Sequence, residues 1–391
     1  MGWLFLLILL FMIFLWVYYA NNNCVMPIKQ FRYWWTFFSV IVALLALSFE
    51  PKSFIDWDLI RLFQHIDNIR TMGLENALAL TEYRNLYIIK YWMYFVSLTE
   101  IDGLFQSVPL FIDFLIFGYI VSDIYKKRCD SLNCRITLLV AFVWISLMGI
   151  KLAISDVRCT WAMGLCCLAF YKEFICEERK LWTYVLYIVA VFIHHFTILF
   201  LIYRGLLLFR KLIQHRWLIL IGALVSQVII YQVATLLYNN VTNDYIKTMA
   251  RKLLADWELY GFSNYFVNRE VSMQFLYLAF VIVFIFGYIW ATRFRNNFSN
   301  DSNYSYGLSL TKTNDALFLL SCLGIGFSFN YLLLERLVYI ASYVFAIFVC
   351  INRIEKGRPL KEIYIIPFLI YILFFNDINI FIVNYIGHYY L

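Results

Sequence analysis

The chain alternates long apolar runs with short polar connections along almost its whole length. An α-helix rises about 1.5 Å per residue, so about 20 apolar residues span the roughly 30 Å hydrocarbon core of a bilayer. The pattern therefore predicts a series of membrane-spanning helices. The predicted spans lie near residues 3–20, 33–49, 107–125, 136–151, 158–175, 217–238, 271–291, 315–330, 336–352 and 361–376, and a further apolar region covers 182–209.

The composition agrees with this pattern. Hydrophobic residues make up 63% of the chain, aromatic residues 20% and charged residues only 15%, which lies outside the range of soluble globular domains. The nine cysteines fall in the spans or near short basic connections and form no Cys-x-x-Cys pair, so no disulfide framework is expected. We expect one all-α polytopic transmembrane domain over residues 1–391, with about 10–12 membrane-spanning helices.

The charged connections predict the orientation of the spans. Residues 21–32 carry Lys29 and Arg32, whereas residues 50–106 form a long segment of mixed sign that is rich in acids. By the positive-inside rule, 21–32 faces the cytoplasm and the N-terminus lies outside. The formal net charge of +7 is explained by basic cytoplasmic connections, so we expect no nucleic-acid partner.

Two outer segments, 50–106 and 239–270, are predicted to form amphipathic caps over the spans. Within the first cap, the aromatic stretch from Tyr87 to Leu98 is too short to cross a bilayer. It is typical of an interfacial helix. Both caps would lie where a lipid headgroup meets the outer leaflet.

The apolar region 182–209 conflicts with the charge rule if it forms one span, because the basic residues after it would then lie outside. Two short helices, 182–194 and 197–209, would return those residues to the cytoplasm, with a turn at His194-His195-Phe196. Each helix would reach only about 20 Å, so the turn would sit below the outer surface. We therefore predict a helical hairpin here.

Two arginines at the outer ends of spans are the first candidate functional residues. A charged side chain near the hydrocarbon core is costly, so Arg158 and Arg336 indicate a functional site. The planar guanidinium offers paired donors to phosphate oxygens and stays ionised, which suits a diphosphate. The alternative is that both are interfacial residues that anchor helix ends.

Three other residues are secondary candidates. His195 could donate to phosphate or act as a base, or it could satisfy the helix turn, which is our interpretation of His194. Asp58 and Arg61, three residues apart, could form an ordinary surface pair. Alternatively, Asp58 could act as a general base toward a sugar hydroxyl.

Several short motifs resemble those of EpsG-like, Wzy-type polysaccharide polymerases. In those polymerases one span begins with an arginine and a small residue, and the next span ends with an H-x-[ST] element. An acidic element lies earlier in the chain, and a second arginine element lies later. The matching stretches here are Arg158-x3-Ala162, Arg179-Lys180, Ala190-x3-His194-His195-x-Thr197, Asp58-Leu59-Ile60-Arg61-Leu62-Phe63 and Arg336-Leu337-Val338-Tyr339-Ile340. This chain has a histidine pair where the family has a single histidine, and Asp156 stands two residues before Arg158.

The resemblance implies a GT-C-like glycosyltransferase of the bacterial inner membrane with its active site facing the periplasm. Such a polymerase transfers a growing glycan from undecaprenyl diphosphate to the non-reducing end of the next lipid-linked repeat, without a metal or other cofactor. In this interpretation Arg158, Arg336 and Arg61 bind the diphosphate, and Asp58 and His195 are catalytic. The implied partners are the undecaprenyl-diphosphate-linked oligosaccharide, the lipid bilayer and a chain-length regulator.

Two alternatives remain at this stage. An O-antigen ligase uses the same donor chemistry with lipid A core as acceptor, but it typically carries a larger late periplasmic loop than this chain has. A flippase or exporter of the lipid-linked repeat would favour internal repeats and helices broken at the midplane, and the sequence shows no internal repeat.

Overall fold

In the computed structural model the chain folds into a bundle of α-helices. The structure describes residues 2–22, 24–51, 57–79, 81–129, 131–209, 215–242, 271–300, 308–356 and 366–373, together with isolated positions between 247 and 258. Most of the predicted second cap, 239–270, lies outside the described residues.

The helices are numbered here in chain order. The first part of the chain forms α1 Gly2–Asn21, α2 Ile28–Leu47, α3 Trp57–Met72, α4 Leu74–Leu78, α5 Tyr87–Thr99, α6 Leu104–Arg128, α7 Cys134–Met148, α8 Ile150–Ser155 and α9 Val157–Phe170. The second part forms α10 Leu181–Ile193, α11 Thr197–Leu208, α12 Arg216–Asn240, α13 Val271–Asn300, α14 Leu308–Gly326, α15 Tyr331–Lys356 and α16 Ile366–Leu373. Short turns at Glu82–Asn85 and Phe327–Phe329 are 3-10 helical, and a π-helical turn at Tyr171–Ile175 extends α9.

The described part of the chain is an all-α polytopic membrane protein. Five of its helices are long and apolar enough to cross a bilayer, and several shorter helices are also apolar. The five are Ile28–Leu47, Leu104–Arg128, Trp217–Asn240, Gln274–Phe294 and Tyr331–Ile354, and the shorter ones are Phe5–Asn21, Cys134–Met148, Leu181–Ile193 and Thr197–Leu208. The larger predicted number of crossings therefore stays a prediction.

Two short strands were not predicted. Val25–Pro27 (β1) and Ser131–Asn133 (β2) pair in antiparallel fashion, with Val25 opposite Asn133. The Asn133 side chain also accepts backbone hydrogen bonds at the start of α7, at 3.0 Å from Arg135 N and 3.1 Å from Ile136 N. The pairing brings the connection 21–32, which the charge rule predicts to be cytoplasmic, together with the basic connection 126–135.

The structure confirms the predicted hairpin between α10 and α11. The rings of Tyr187 and Phe200 lie with their centroids 6.1 Å apart, although a continuous helix would separate these residues by roughly 20 Å. Further from the turn, Arg204 Cζ lies 5.8 Å from the Tyr184 ring centroid. The chain therefore folds back on itself between α10 and α11, at residues 194–196.

The segment Trp57–Thr99, called the cap here, covers one end of the bundle. Four apolar residues of α3 are buried with helical spacing: Leu59, Leu62, Ile66 and Ile69. Arg70 on the same helix pairs with Asp67 and Asp102 and donates to the carbonyl oxygen of Ser97 at 3.1 Å. The hydrogen bond to Asp102 raises the pKa of the Arg70 guanidinium above its usual value. The cap therefore packs against the rest of the protein through the apolar face of α3, and the ion pairs of Arg70 stabilise its edge.

Side-chain contacts show which helix ends share the cap end. Gln106, at the start of α6, donates to the carbonyl oxygen of Ala46, near the end of α2, at 3.0 Å. The hydroxyl of Tyr339, near the start of α15, donates to the Asp156 carboxylate, just before α9, at 3.3 Å. The starts of α6, α9 and α15 therefore lie together beneath the cap.

The opposite end of the bundle, called the basic end here, holds a second set of charges. Lys172 is buried there with its Nζ 3.2 Å from Glu178 Oε1 and 3.5 Å from Asp123 Oδ2. Lys312, at the start of α14, pairs with Glu177. This end carries the connections that the sequence predicts to be cytoplasmic, and its orientation in a membrane stays a prediction.

Candidate functional site

Three elements from distant parts of the chain position the candidate site at the cap end. Asp58 and Arg61 lie in the first turns of α3, Arg158 is the second residue of α9, and Arg336 lies in the second turn of α15. The guanidinium groups of Arg61, Arg158 and Arg336 therefore lie at the same end of the bundle, although they come from distant parts of the sequence.

Asp58 bridges two of the predicted arginines. Its Oδ1 accepts a hydrogen bond from Arg61 Nη2 at 2.9 Å, and its Oδ2 lies 3.9 Å from Arg158 Nη2. The side chain of Asp58 is 45% exposed and that of Arg61 41%, whereas that of Arg158 is only 4% exposed. The Asp58 carboxylate is therefore partly open to solvent, whereas Arg158 on its inner side is buried.

Tyr83 supports the buried arginine from the cap. Arg158 Cζ lies 4.8 Å from the centroid of the Tyr83 ring, which is itself buried. A guanidinium over an aromatic face gains roughly 0.5–2 kcal/mol, with the larger values at desolvated sites. The sequence analysis missed Tyr83 because a tyrosine in a short turn gives no signal of where its ring will lie.

Arg336 forms the second half of the site. It is buried and makes an ion pair with Asp156, which also accepts the hydrogen bond from the Tyr339 hydroxyl. Arg336 and Tyr339 are three residues apart and so lie on one face of α15. Asp156, which the sequence analysis noted only as a departure from the family pattern, therefore connects α9 to α15.

The tip of the α10–α11 hairpin lies beside Arg336. Arg336 Cζ lies 5.6 Å from the centroid of the Phe196 ring. His194 is buried and satisfies the turn, because its Nδ1 accepts from Phe196 N at 3.2 Å and its carbonyl oxygen accepts from Thr197 Oγ1 at 2.7 Å. This agrees with our interpretation of His194. The half-buried His195 ring packs against both neighbours in the turn, with its centroid 5.1 Å from that of His194 and 5.6 Å from that of Phe196.

The structure thus brings Asp58, Arg61 and Arg158 into contact, and Arg336 joins this charged cluster through Asp156, which stands two residues before Arg158. His195 lies beside the cluster, one residue from the ring that contacts Arg336. With Asp156 included, the cluster contains three guanidiniums and two carboxylates. These five side chains alone carry one more positive than negative charge, and their guanidinium donors suit an anion.

One buried carboxyl group lies further down the bundle, beneath the cluster. The Tyr343 hydroxyl of α15 donates to Asp113 Oδ1 of α6 at 3.1 Å, and Gly164 of α9 packs against the same carboxyl group. Gly164 and Tyr343 lie six and seven residues beyond Arg158 and Arg336, so about 10 Å along their helices. This contact sets how closely α9 and α15, which carry the two buried arginines, approach each other.

Among the residues that the structure describes, no group of three or more His, Cys, Asp or Glu side chains is placed to hold a metal ion.

Comparison of the chain with protein-family models, with curated proteins and with solved structures gives no match.

Proposed function

We propose that this protein is a membrane glycosyltransferase that polymerises lipid-linked oligosaccharide repeats, using a polyprenyl diphosphate as the leaving group. The observation that supports this most is that Arg158 and Arg336 are both buried and belong to one cluster, since Arg336 pairs with Asp156 two residues before Arg158. Two buried arginines from helices far apart in the sequence are of little use as separate surface anchors. Together their planar guanidiniums offer paired donors of the kind that suits a diphosphate.

In the proposed reaction, an acceptor hydroxyl oxygen forms a bond with the anomeric carbon of the donor glycan. The bond between that carbon and the phosphate oxygen breaks, and its electron pair stays on the diphosphate. Negative charge therefore grows on the phosphate oxygens in the transition state, where fixed guanidiniums stabilise it most. Arg158 and Arg336 carry this role, and Arg61 assists from the open side.

The proton of the acceptor hydroxyl needs a base. Asp58 is the more exposed carboxylate of the cluster, at 45% against 11% for Asp156, so it is the one that an acceptor sugar would reach from solvent. We assign proton acceptance to Asp58. We assign the orientation of the phosphate or the acceptor to His195, because its imidazole can donate or accept a hydrogen bond near neutral pH. The proposed setting is the periplasmic face of a bacterial inner membrane, with a GT-C-like fold.

A flippase would place its binding residues differently. Transporter sites typically lie near the bilayer midplane at broken helices. The break between α10 and α11 contacts Arg336 in the second turn of α15, so it belongs to the cap end and not to the middle of the bundle. The location of the cluster therefore favours chemistry at a membrane surface.

The test is the surface glycan of a host strain that lacks the gene. A polymerase predicts lipopolysaccharide or another surface glycolipid that still displays a single repeat, whereas a ligase or flippase predicts that no repeat is displayed. Purified protein in liposomes, supplied with lipid-linked repeats from that strain, should then form oligomers and release polyprenyl diphosphate. If the deletion strain shows no repeat, or the purified protein forms no oligomers, the proposal is wrong.

A further inference from the structure

The two aspartates of the cluster occupy the positions at the arginines that a substrate phosphate would need. Asp58 presents one oxygen to Arg61 and the other to Arg158, as a single phosphate group between two guanidiniums would. Asp156 pairs with the Arg336 guanidinium through one oxygen, Oδ2. Each buried arginine of the cluster therefore has a carboxylate in front of it.

Electrostatics explains why carboxylates stand there. A buried guanidinium without a counter-charge costs several kcal/mol in a medium of low polarity, so the empty site needs its own anions. A diphosphate brings at least two negative charges to a cluster whose excess is only one positive charge. It cannot bind tightly while both carboxylates stay in place, because close like charges repel.

The Arg336 side chain keeps a donor that its pairing with Asp156 does not use. Its Nε is buried and donates no hydrogen bond to any residue that the structure describes. A buried donor without an acceptor is costly, and a phosphate oxygen would satisfy it. The pairing of Arg336 with Asp156 is thus incomplete, whereas a larger anion could use more of the guanidinium.

The two carboxylates differ in how readily they can leave. Asp58 is 45% exposed and lies on the cap, so it can turn toward solvent without moving a membrane helix. Asp156 is 11% exposed and is held by the Tyr339 hydroxyl as well as by Arg336. We therefore expect Asp58 to be displaced more easily than Asp156.

We propose that Asp58 and Asp156 are built-in substitutes for the donor diphosphate, which displaces them from Arg61, Arg158 and Arg336 when it binds. This inference rests on the proposed function and adds to it the order in which the donor and the acceptor act. While Asp58 is held by two guanidiniums it is not available to an acceptor. Once phosphate replaces it, Asp58 can accept a hydrogen bond from the acceptor hydroxyl and then its proton. The donor must therefore bind before the acceptor can be activated.

The experiment measures inorganic pyrophosphate binding to the full-length protein in detergent, by calorimetry and by the rise in melting temperature. Asp58→Asn and Asp156→Asn each remove a competing charge while keeping an oxygen acceptor, so each should bind pyrophosphate about tenfold or more tightly than the wild type. Arg336→Ala should bind it more weakly. Asp67→Asn is the matched control, because it removes one acid from the same cap helix at an exposed position that pairs with Arg70.

The outcomes separate the two proposals. If the wild type binds pyrophosphate but both Asn variants bind it no more tightly than Asp67→Asn, the substitution idea is wrong and the arginine site remains. If neither the wild type nor the Asn variants bind pyrophosphate, the diphosphate site itself is wrong. Melting curves without ligand show whether each variant is folded, and either Asn variant alone is sufficient to test the inference.

Discussion

The Arg204 guanidinium binds both oxygens of the Glu173 carboxylate, with Nε 2.8 Å from Oε2 and Nη2 2.6 Å from Oε1. Tyr187 donates a third hydrogen bond to the same carboxylate at 3.1 Å. Glu173 lies at the basic end of the bundle, in the π-helical turn after α9. The pair therefore fixes the end of α11 at the opposite end of the molecule from Arg158 and leaves the hairpin tip beside Arg336.

This topology predicts where a reporter placed after the hairpin will lie. Residues after α11 should share a compartment with the connection 126–135, since both follow helices that end at the basic end. A single cysteine or a fused reporter after Gln214 should be read as cytoplasmic, like one placed in that connection. A periplasmic signal after Gln214 would contradict the hairpin.

The Glu173–Arg204 pair should contribute strongly to stability. Replacing Arg204 by Met leaves the Glu173 carboxylate, whose side chain is only 5% exposed, without its cation. Breaking a buried pair from one side costs roughly 3–5 kcal/mol. We expect a clear fall in the melting temperature of Arg204→Met in detergent, and a smaller fall in the double variant Glu173→Gln, Arg204→Met, where no unpaired charge remains. Equal melting temperatures for the two variants would show that the pair has little energetic role.

Much of the helical architecture could be predicted from the sequence, because the apolar run that a helix needs to cross a bilayer is a local property of the chain. The hairpin could also be predicted, since a basic segment such as Arg204 to Arg216 constrains the side on which it ends. The strands at 25–27 and 131–133 could not be predicted, because three residues are too few to show an alternating pattern.

The candidate site was only partly predictable. Arg158, Arg336 and Asp58 could be identified because a charge at the edge of an apolar run is unusual wherever the chain folds. The contributions of Tyr83, Asp156 and Phe196 depend on which helix ends meet in space. No local pattern encodes that meeting, so the residues that orient the arginines became visible only in the folded structure.

The packing beneath the cluster gives a prediction with an internal control. An added Cβ at Gly164 would collide with the Asp113 carboxyl group and approach the Tyr343 hydroxyl to 3.3 Å, whereas at Gly205 and Gly222 nothing lies within 4 Å. Gly164→Ala should therefore destabilise the protein by roughly 1–3 kcal/mol and push α9 away from α6. Gly205→Ala and Gly222→Ala should be neutral or stabilising by up to about 1 kcal/mol.

The readout is the melting temperature, followed by pyrophosphate affinity. Because Gly164 lies on the helix that carries Arg158, we expect weaker binding in Gly164→Ala even where the protein remains folded. If Gly164→Ala behaves like the two control variants in both measurements, the described packing does not set the geometry of the cluster.

Metal dependence provides a further prediction. Because the site is proposed to use guanidiniums to stabilise the leaving diphosphate, oligomer formation by purified protein should continue in excess EDTA. The control is a metal-dependent glycosyltransferase assayed in the same buffer, which should stop. A steep loss of activity that added divalent cation restores would assign the charge-stabilising role to a metal.

The most direct test of the central claim is the length of the glycan made by a deletion strain that carries Arg158→Ala or Arg336→Ala. Removing a group that stabilises transition-state charge typically lowers the rate by about 100-fold or more, so each variant should insert normally yet yield mainly single-repeat glycan. Lysine at either position should restore little, because the paired donors are lost, and Arg84→Ala, an exposed charge in the same cap, should give wild-type chains. Long chains from both alanine variants at normal protein levels would contradict the account.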